Sequence, residues 1–404
     1  MKNELGELLG KSPKEMEKVR TLWENCFHDP QRYMDFYFKW KTIDNTIFGI
    51  YDDEELISMV QLNPYRVSIL NHEFSSYYIV GVATNADYRK RGLMRRLLTQ
   101  GMNYMYQEEV PFAYLMPAKE EIYLPFDFRI VTYQDRMSIP LKQVIQNAKE
   151  PIVKAASLSR DIGSRLQEVK TVLVDETDTA MLSRLAQYAN GILASSNDVY
   201  TVRDTYYYER MLAELLVLNG GILMMWNEKE IIGYGAFAIE EGKLEVLELL
   251  ADETIQEDLL TQLNYEVLRR LEESWLEEDN EVEPTKAPPI MARIIHVPKF
   301  LQQLRATEDI ELVIEVHDEY IKENEGIYQL ACHLNDCYVT KTIKTKYNDS
   351  NIDLVCNMAQ LTSLFFGQIE ESELTQLILG DKDEVKHKLC AIEYLNHVHI
   401  NEIV

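Results

Sequence analysis

The chain has 404 residues, so at roughly 100–200 residues per domain we expect two to four domains. Hydrophobic residues make up 46% and charged residues 27%, which is typical of a globular protein and excludes a disordered, collagen-like or disulfide-stapled chain. The net charge of −26 argues against nucleic-acid binding, because that affinity depends on neutralising phosphates. It would raise the local concentration of a cationic substrate, although it also serves solubility alone.

The cysteines and the apolar segments indicate the cellular setting. The five cysteines are scattered and form no C-x-x-C pair, so they predict neither a zinc site nor a disulfide framework. The start, MKNELGELLGKSPKEMEK, has no apolar segment of signal-peptide length, and the run LAELLVLNGGILMMW is too short to span a bilayer. We therefore expect a cytoplasmic protein that acts without a membrane or nucleic-acid partner.

The first section of the chain, from about Ser12 to Gln134, alternates helices and strands. Ser12-Pro13 followed by Glu15 is a helix start, and the helix is predicted to run to about Cys26. An aromatic-rich segment predicts a second helix over Gln31–Trp40. Alternating and β-branched residues then predict strands over 47–51, 56–62 and 73–83.

Two further sections follow. Strands are predicted over 221–226, 231–239 and 244–250, and a long amphipathic helix over 254–273. The acidic, proline-ended segment EESWLEEDNEVEPTKAPP is typical of a linker. Beyond it, MARIIHVPKFLQQL opens a third section, with strands predicted over 311–317, 326–334 and 337–342.

The segment VGVATNADYRKRGLMRRLLTQGMNYM is the most informative part of the sequence. A strand ends at Thr84, a polar turn with Gly92 follows, and a helix then begins. This geometry directs free backbone N–H groups towards an anion. Five basic residues lie within eight positions here, although cations at a helix N-terminus oppose its dipole. We interpret this turn as a pyrophosphate site, and the alternative is a solvated basic helix start.

The absence of G-x-G-x-x-G and of G-K-[ST] from this segment disfavours a dinucleotide-binding site or a Walker-type phosphate-binding loop.

The turn resembles the acyl-CoA signature of the GCN5-related N-acetyltransferases (GNAT), Arg/Gln-x-x-Gly-x-Gly/Ala. Arg89 and Gly92 match it, and Met94 stands where the signature has a small residue. The fuller string VATNADYRKRGLM, followed by MPAKEEIYLPFDFRIV, is similar to the enhanced-intracellular-survival (Eis) acetyltransferases and their bacterial relatives. The strings MARI and ENEGIY are similar to landmarks of that family's third domain.

This resemblance covers the whole chain and implies an α/β (α+β) fold. It implies tandem GNAT-like mixed sheets flanked by helices, and a C-terminal α+β domain of sterol-carrier-protein type. The expected boundaries are residues 1–150 for the catalytic GNAT domain, 151–285 for a degenerate second one, and 286–404 for the sterol-carrier-type domain. The family also suggests assembly into trimers or hexamers.

The resemblance also assigns site residues. Tyr123 is the expected general acid, and its neutral phenol would protonate the leaving thiolate. The acetyl-CoA-binding residues carried over from the family are Val82, Ala83, Thr84, Arg89, Lys90, Arg91, Gly92, Leu93, Met94, Arg95, Ala118 and Lys119. No metal is implied.

The general base is less visible in the sequence. Glu120 and Glu121 are candidates, but at a helix start they equally suit surface charges that compensate the dipole. The family resemblance implies instead the chain's terminal carboxylate, carried here by Val404, where many Eis enzymes have an aromatic residue. An α-carboxyl group is ionised at pH 7 and can accept a proton.

Together these features predict an acetyl-CoA-dependent N-acetyltransferase. The acceptor would be a primary amine of a cationic small molecule, of aminoglycoside or polyamine type, or a lysine side chain. The alternative is a non-catalytic CoA- or lipid-binding protein that uses the sterol-carrier-type domain.

Overall fold

A computed structural model describes residues 7–149, 169–227, 230–270, 287–333, 336–342 and 351–402. In these residues twelve α-helices and twenty strands are present. The helices α1 to α12 are Pro13–Phe27, Gln31–Trp40, Leu93–Gln107, Glu120–Tyr123, Leu141–Lys149, Thr179–Ser196, Thr205–Val217, Glu253–Arg270, Val297–Leu301, Met358–Phe365, Glu371–Leu377 and Lys382–Ala391. The strands β1 to β20 are Glu7–Leu8, Thr46–Asp52, Glu55–Ile69, His72–Thr84, Phe112–Leu115, Arg129–Tyr133, Met137–Pro140, Val169–Leu173, Val199–Thr201, Gly221–Asn227, Glu230–Glu240, Lys243–Ala251, Pro289–Ile294, Arg305–Ala306, Ile310–His317, Gly326–His333, Asp336–Thr342, Leu354–Asn357, Ile392–Glu393 and Val398–His399.

The predicted helices of the first section are confirmed. Helix α1 begins at Pro13, where the Ser12 hydroxyl accepts a hydrogen bond from the Glu15 N–H, and it ends at Phe27. Its buried face, which includes Leu22 and Trp23, packs into the main core. Helix α2 has the predicted bounds. A side-chain cap and helical apolar spacing therefore specify α1, whereas α2 begins without a side-chain cap and depends on its apolar spacing.

The first sheet has the order β1-β2-β3-β4-β5-β13-β6, and β9 joins β3 and β20 beside it. Strands β3 and β4 form a long antiparallel hairpin that exceeds the predicted 56–62 and 73–83. The β4–β5 pairing is parallel. Helix α3 packs its leucines and methionines on this sheet.

The second sheet has the order β7-β12-β11-β10-β8. The three strands predicted in the middle section are confirmed, and α8 follows β12. Four strands do not follow chain order. Strand β7 lies in the second sheet, β13 lies between β5 and β6 of the first, and β9 and β20 also join the first. The boundaries at 150 and 285 stay predictions, and the sheets exchange strands across both.

The third sheet has the order β17-β16-β15-β18, with α10 and α12 packed near it. The cysteines form one disulfide, between Cys332 and Cys337, which their scattered spacing did not predict. These residues stand directly opposite each other in β16 and β17, with their Cα atoms 4.1 Å apart. A hairpin register, rather than a short Cys motif, brings them together.

Candidate active site

A bulge in β4 shapes the centre of the first sheet. Met59 pairs with Ala83, but Gln61 pairs with Val80, so two residues of β4 stand against one of β3. Gly81 lies in this bulge with φ +57°, the left-handed region. A Cβ at Gly81 would lie 2.8 Å from the Trp23 ring and 3.1 Å from the Gln61 amide nitrogen. Glycine is therefore required both by conformation and by space.

The bulge opens a gap between β4 and β5. The two strands pair at only two positions, Tyr77 with Ala113 and Tyr78 with Tyr114. Beyond them lies a cavity of about 820 Å³, bordered by residues 79–82 on one side and 116–118 on the other. The β4 backbone has no strand partner on this side past Tyr78 among the described residues. Its polar groups there are available to a ligand.

The basic turn leads from this gap into α3. Gly92 has φ +75° and precedes the helix without any side-chain cap, so the first-turn N–H groups are not covered by the protein's own acceptor. The Arg89 guanidinium donates to the Thr84 carbonyl (3.1 Å), and Arg91 donates to the Asp87 carbonyl (2.8 Å). Residues 89–92 are all exposed. The turn thus combines exposed cations with an open helix N-terminus, which suits a phosphate group.

The predicted donor residues occupy different environments. Val82, Met94 and Ala118 line the large cavity, and Lys119 is exposed outside its lining. Ala83 and Leu93 are buried in the apolar cores. The Thr84 carbonyl also accepts from the Cys26 thiol at 3.7 Å, and its hydroxyl lies 2.8 Å from that of Ser58.

Arg95 is turned towards the C-terminal part of the chain. It forms an ion pair with Glu319 at 3.1 Å and donates to the Tyr320 hydroxyl at 2.8 Å. Its guanidinium also lies over the Phe126 ring, 5.4 Å from the centroid. This side chain joins α3 to the segment after β15, a role that its sequence spacing did not show.

Tyr123 ends helix α4 and lines the same cavity. The residue is buried, and its ring packs edge-on against Phe128. Burial raises the pKa of Tyr123 to about 12. No partner of its hydroxyl is found among the described residues, so a neutral O–H donor faces the cavity at physiological pH.

Four glutamates lie in the part of the cavity lining that also includes Arg32 and Arg136. We call Glu214, Glu240, Glu241 and Glu245 the acidic wall; all four line the cavity and come from α7, β11, β12 and the turn between the last two. Burial raises the pKa of Glu240, and nearby glutamates add to this effect while Arg32 opposes it. Sequence reasoning missed this wall because no local motif marks it. The packing of the second sheet against the first brings it there.

The candidate bases are placed differently. Glu120 and Glu121 do not line the cavity, and Val404 lies outside the described residues. A second cavity of about 30 Å³ is lined by Asn401 and Glu402. It adjoins the large cavity, because Arg136, Glu214 and Leu247 line both.

Two domain models match the chain. Residues 11–131 match the acetyltransferase (GNAT) domain. The chain carries a GNAT acetyltransferase domain. Residues 297–386 match the sterol carrier protein domain. Both domain types that the sequence resemblance implies are therefore confirmed, and the protein is an acyltransferase. The acetyltransferase domain implies acetyl-CoA as its acyl donor, and the bulge and the basic turn fit such a ligand.

Solved structures share this fold over almost the whole chain. A conserved protein of unknown function from Enterococcus faecalis V583, described as a probable N-acyltransferase, is 17% identical, with 98% of this chain and 99% of that chain covered and a TM-score of 0.73. A GCN5-related N-acetyltransferase from Anabaena variabilis is 14% identical (99% and 100% covered, TM-score 0.74). Eis1 from Mycobacterium abscessus is 13% identical (98% of each chain, TM-score 0.63). At these identities the similarity shows the fold alone. No curated protein sequence matches the chain.

Neither a membrane-crossing helix nor a cluster of metal ligands is found in the residues that the structure describes. Every helix there falls short of the length or hydropathy that a bilayer-crossing segment needs. The same residues contain no group of three or more His, Cys, Asp or Glu side chains arranged to hold a metal ion.

Proposed function

We propose that this acetyltransferase transfers the acetyl group of acetyl-CoA to a primary amine of a cationic small molecule, of aminoglycoside or polyamine type, or of a lysine side chain. One observation carries the proposal: a single cavity of about 820 Å³ has Val82, Met94, Ala118 and Tyr123 on one side and the acidic wall on the other. Carboxylates lower the free energy of a bound ammonium group, most strongly where water is excluded. A donor and a cationic acceptor can therefore meet in one space.

The donor site combines three features. The exposed cations at 89–91 and the open start of α3 would bind the pyrophosphate of acetyl-CoA. The unpaired edge of β4 beyond Tyr78 would accept the amide groups of the pantetheine arm. Acetyl-CoA supplies the acetyl group as a thioester, and the strand N–H groups at the bulge are suited to stabilise the developing oxyanion.

Tyr123 is the proposed general acid. When the amine nitrogen bonds to the acetyl carbon and the carbon–sulfur bond breaks, the leaving sulfur needs a proton. The Tyr123 hydroxyl donates it and is re-protonated from solvent before the next turnover. A pKa of about 12 keeps the hydroxyl protonated over the working pH range.

The proposed base is the terminal carboxylate of Val404, which would take the proton released by the amine. Two observations support it: Asn401 and Glu402 line the small cavity that adjoins the acetyl-transfer cavity, and the Glu402 carbonyl accepts from the buried Gln134 amide at 3.0 Å. The chain is therefore anchored two residues before Val404. A Gly-Ser extension at the C-terminus would displace this carboxylate while leaving the anchored residues unchanged.

The experiment is acetyl-CoA-dependent thiol release with a panel of aminoglycosides, polyamines and lysine peptides. For the wild type we expect release with at least one amine. Tyr123→Phe should lower kcat by about 10²-fold or more, because general acid catalysis contributes about 10²–10⁴-fold. Acetyl-CoA binding, measured by thermal shift, should persist. Because the pKa of Tyr123 is raised, wild-type kcat should not fall between pH 8 and about 10 through loss of this proton.

Tyr133→Phe is the matched control, since Tyr133 is an exposed tyrosine outside the cavity lining. Unchanged kcat in Tyr123→Phe would refute the acid role. Stabilisation by acetyl-CoA without thiol release for any amine would favour the alternative, a non-catalytic CoA- or lipid-binding protein. The sterol carrier domain match is the observation that keeps this alternative in view.

A further inference from the structure

A buried ion triad of Arg203, Glu248 and Glu402 lies outside the lining of the acetyl-transfer cavity. The Arg203 guanidinium donates to Glu248 Oε1 at 2.7 Å and to Glu402 Oε1 at 2.8 Å. All three side chains are almost fully buried. A buried charge raises the free energy of the folded state unless its hydrogen-bonding atoms have partners, so we examine the partners of these side chains.

The carboxylate oxygens of the triad all have partners. Glu402 Oε2 accepts from the Thr201 hydroxyl at 2.8 Å, and Oε1 also accepts from Tyr207 at 3.1 Å. Glu248 Oε2 accepts from the Tyr234 hydroxyl, and Oε1 lies 3.0 Å from His399 Nε2. Such a network fixes geometry more than it adds net stability.

The triad joins three separate parts of the fold. Arg203 follows β9, which pairs with β3 of the first sheet. Glu248 belongs to β12 of the second sheet. Glu402 follows β20, which pairs in parallel with β9. The three charges therefore hold the first sheet, the second sheet and the C-terminal segment against one another.

Residues adjacent to the triad also line the acetyl-transfer cavity. Strand β12 contributes Glu245 and Leu247 to its lining, directly before Glu248. The Asn401 amide donates to the Leu247 carbonyl at 2.6 Å. Gln134, which donates to the Glu402 carbonyl, is two residues from Arg136 in the cavity lining.

We propose that the Arg203–Glu248–Glu402 triad is a positioning device that holds the acidic wall at the distance from Tyr123 that the amine acceptor requires. This inference rests on the proposed function. The donor-side elements β4 and α3 contact none of the triad side chains among the described hydrogen bonds and ion pairs. Loosening the triad therefore moves the acceptor side of the cavity and leaves the donor side in place.

The test compares Glu402→Gln with Glu371→Gln, the loss of an exposed charge in a surface ion pair outside the cavity lining. In Glu402→Gln we expect the KM for the amine to rise about 10–100-fold, because small misplacements of binding groups have effects of this size. The KM for acetyl-CoA should change less than about twofold, a split that general destabilisation would not produce. Arg203→Lys, which keeps the charge but loses the two-armed bridge, should show the same split.

Hydrogen exchange supplies a readout that does not depend on activity. Glu402→Gln should speed exchange in β12 and β20 and leave β4 unchanged. Faster exchange with an unchanged amine KM would overturn the positioning role, and so would equal changes in the KM for both substrates. If the wild type transfers acetyl to no amine, the proposed function fails. Independently of that result, unchanged hydrogen exchange in Glu402→Gln would refute the triad as a positioning device.

Discussion

The first sheet, which is mixed, and the second sheet, which is antiparallel, contain a similar irregularity. In the first, β4 bulges at Gly81 and its pairing with β5 ends just before, at Tyr78. In the second, Ala236 pairs with Glu248 and Phe237 with Val246, so Leu247 is the extra residue of β12. The pairing of β12 with β7 also ends just before, at Val246. In each sheet a helix follows the bulged strand.

What occupies the opening differs. Residues 79–82 and Leu247 all line the large cavity, but at the second opening the protein supplies partners of its own, because the Leu247 carbonyl accepts from Asn401 and Glu248 binds Arg203. The helix starts differ as well. Gly92 leaves the start of α3 uncapped, but the Asp252 carboxylate accepts the Thr254 N–H at 2.9 Å at the start of α8. The same order of bulged strand and helix thus leaves the helix start uncapped and suited to an anion in the first sheet, whereas the Asp252 carboxylate caps it in the second.

The largest effect is expected from closing the first opening with Gly81→Ala. The methyl group would meet the Trp23 ring at 2.8 Å in a left-handed conformation. We expect the free energy of unfolding to fall by about 1–3 kcal/mol. Because the bulge relaxes, acetyl-CoA affinity should fall about 10²-fold, which isothermal titration would measure.

Gly92→Ala is the matched control for stability. Gly92 has a similar φ of +75°, but no atom lies within 4 Å of the added Cβ. It should lower stability by only about 1 kcal/mol, the conformational cost alone. Equal losses in the two variants would show that the contact with Trp23 does not shape the bulge.

A smaller effect is expected from the charge of the basic turn. Lys90→Glu reverses an exposed charge beside the uncapped start of α3. We expect acetyl-CoA affinity to fall about tenfold at low ionic strength and the difference to shrink at 0.5 M salt, since exposed charges are screened over about 10 Å at 0.1 M. Lys382→Glu, an exposed lysine at the start of α12, is the control and should leave affinity unchanged. A salt-independent loss would point to a conformational effect instead.

Local patterns were enough for most individual elements. The strand ending at Thr84, the helix beginning at Leu93 and the three middle strands lie within a residue or so of their predicted positions, because helical apolar spacing and strand alternation act locally. The donor side of the candidate site is contiguous in sequence, so a motif could mark it.

The acceptor side could not be predicted in this way. Glu214 and Glu245 are far apart in sequence, and only the packing of α7 and β12 against the first sheet places them in one cavity. The same applies to β13, whose six residues read as the start of the third section but pair between β5 and β6. Long-range strand exchange leaves no local signature, since the alternation of a strand is the same in either sheet.

The smallest effect separates the two helix starts. Asp252→Ala removes the carboxylate that accepts the N–H and hydroxyl of Thr254 at 2.9 and 2.7 Å. The loss of such a cap costs about 0.5–2 kcal/mol, so thermal or urea unfolding should show a decrease in this range. Acetyl-CoA affinity should not change, because the start of α8 follows a strand of the second sheet and is already capped by the Asp252 carboxylate. If the folded variant bound acetyl-CoA more weakly than the wild type, the second opening would take part in donor binding. The proposed difference between the two sheets would then be wrong.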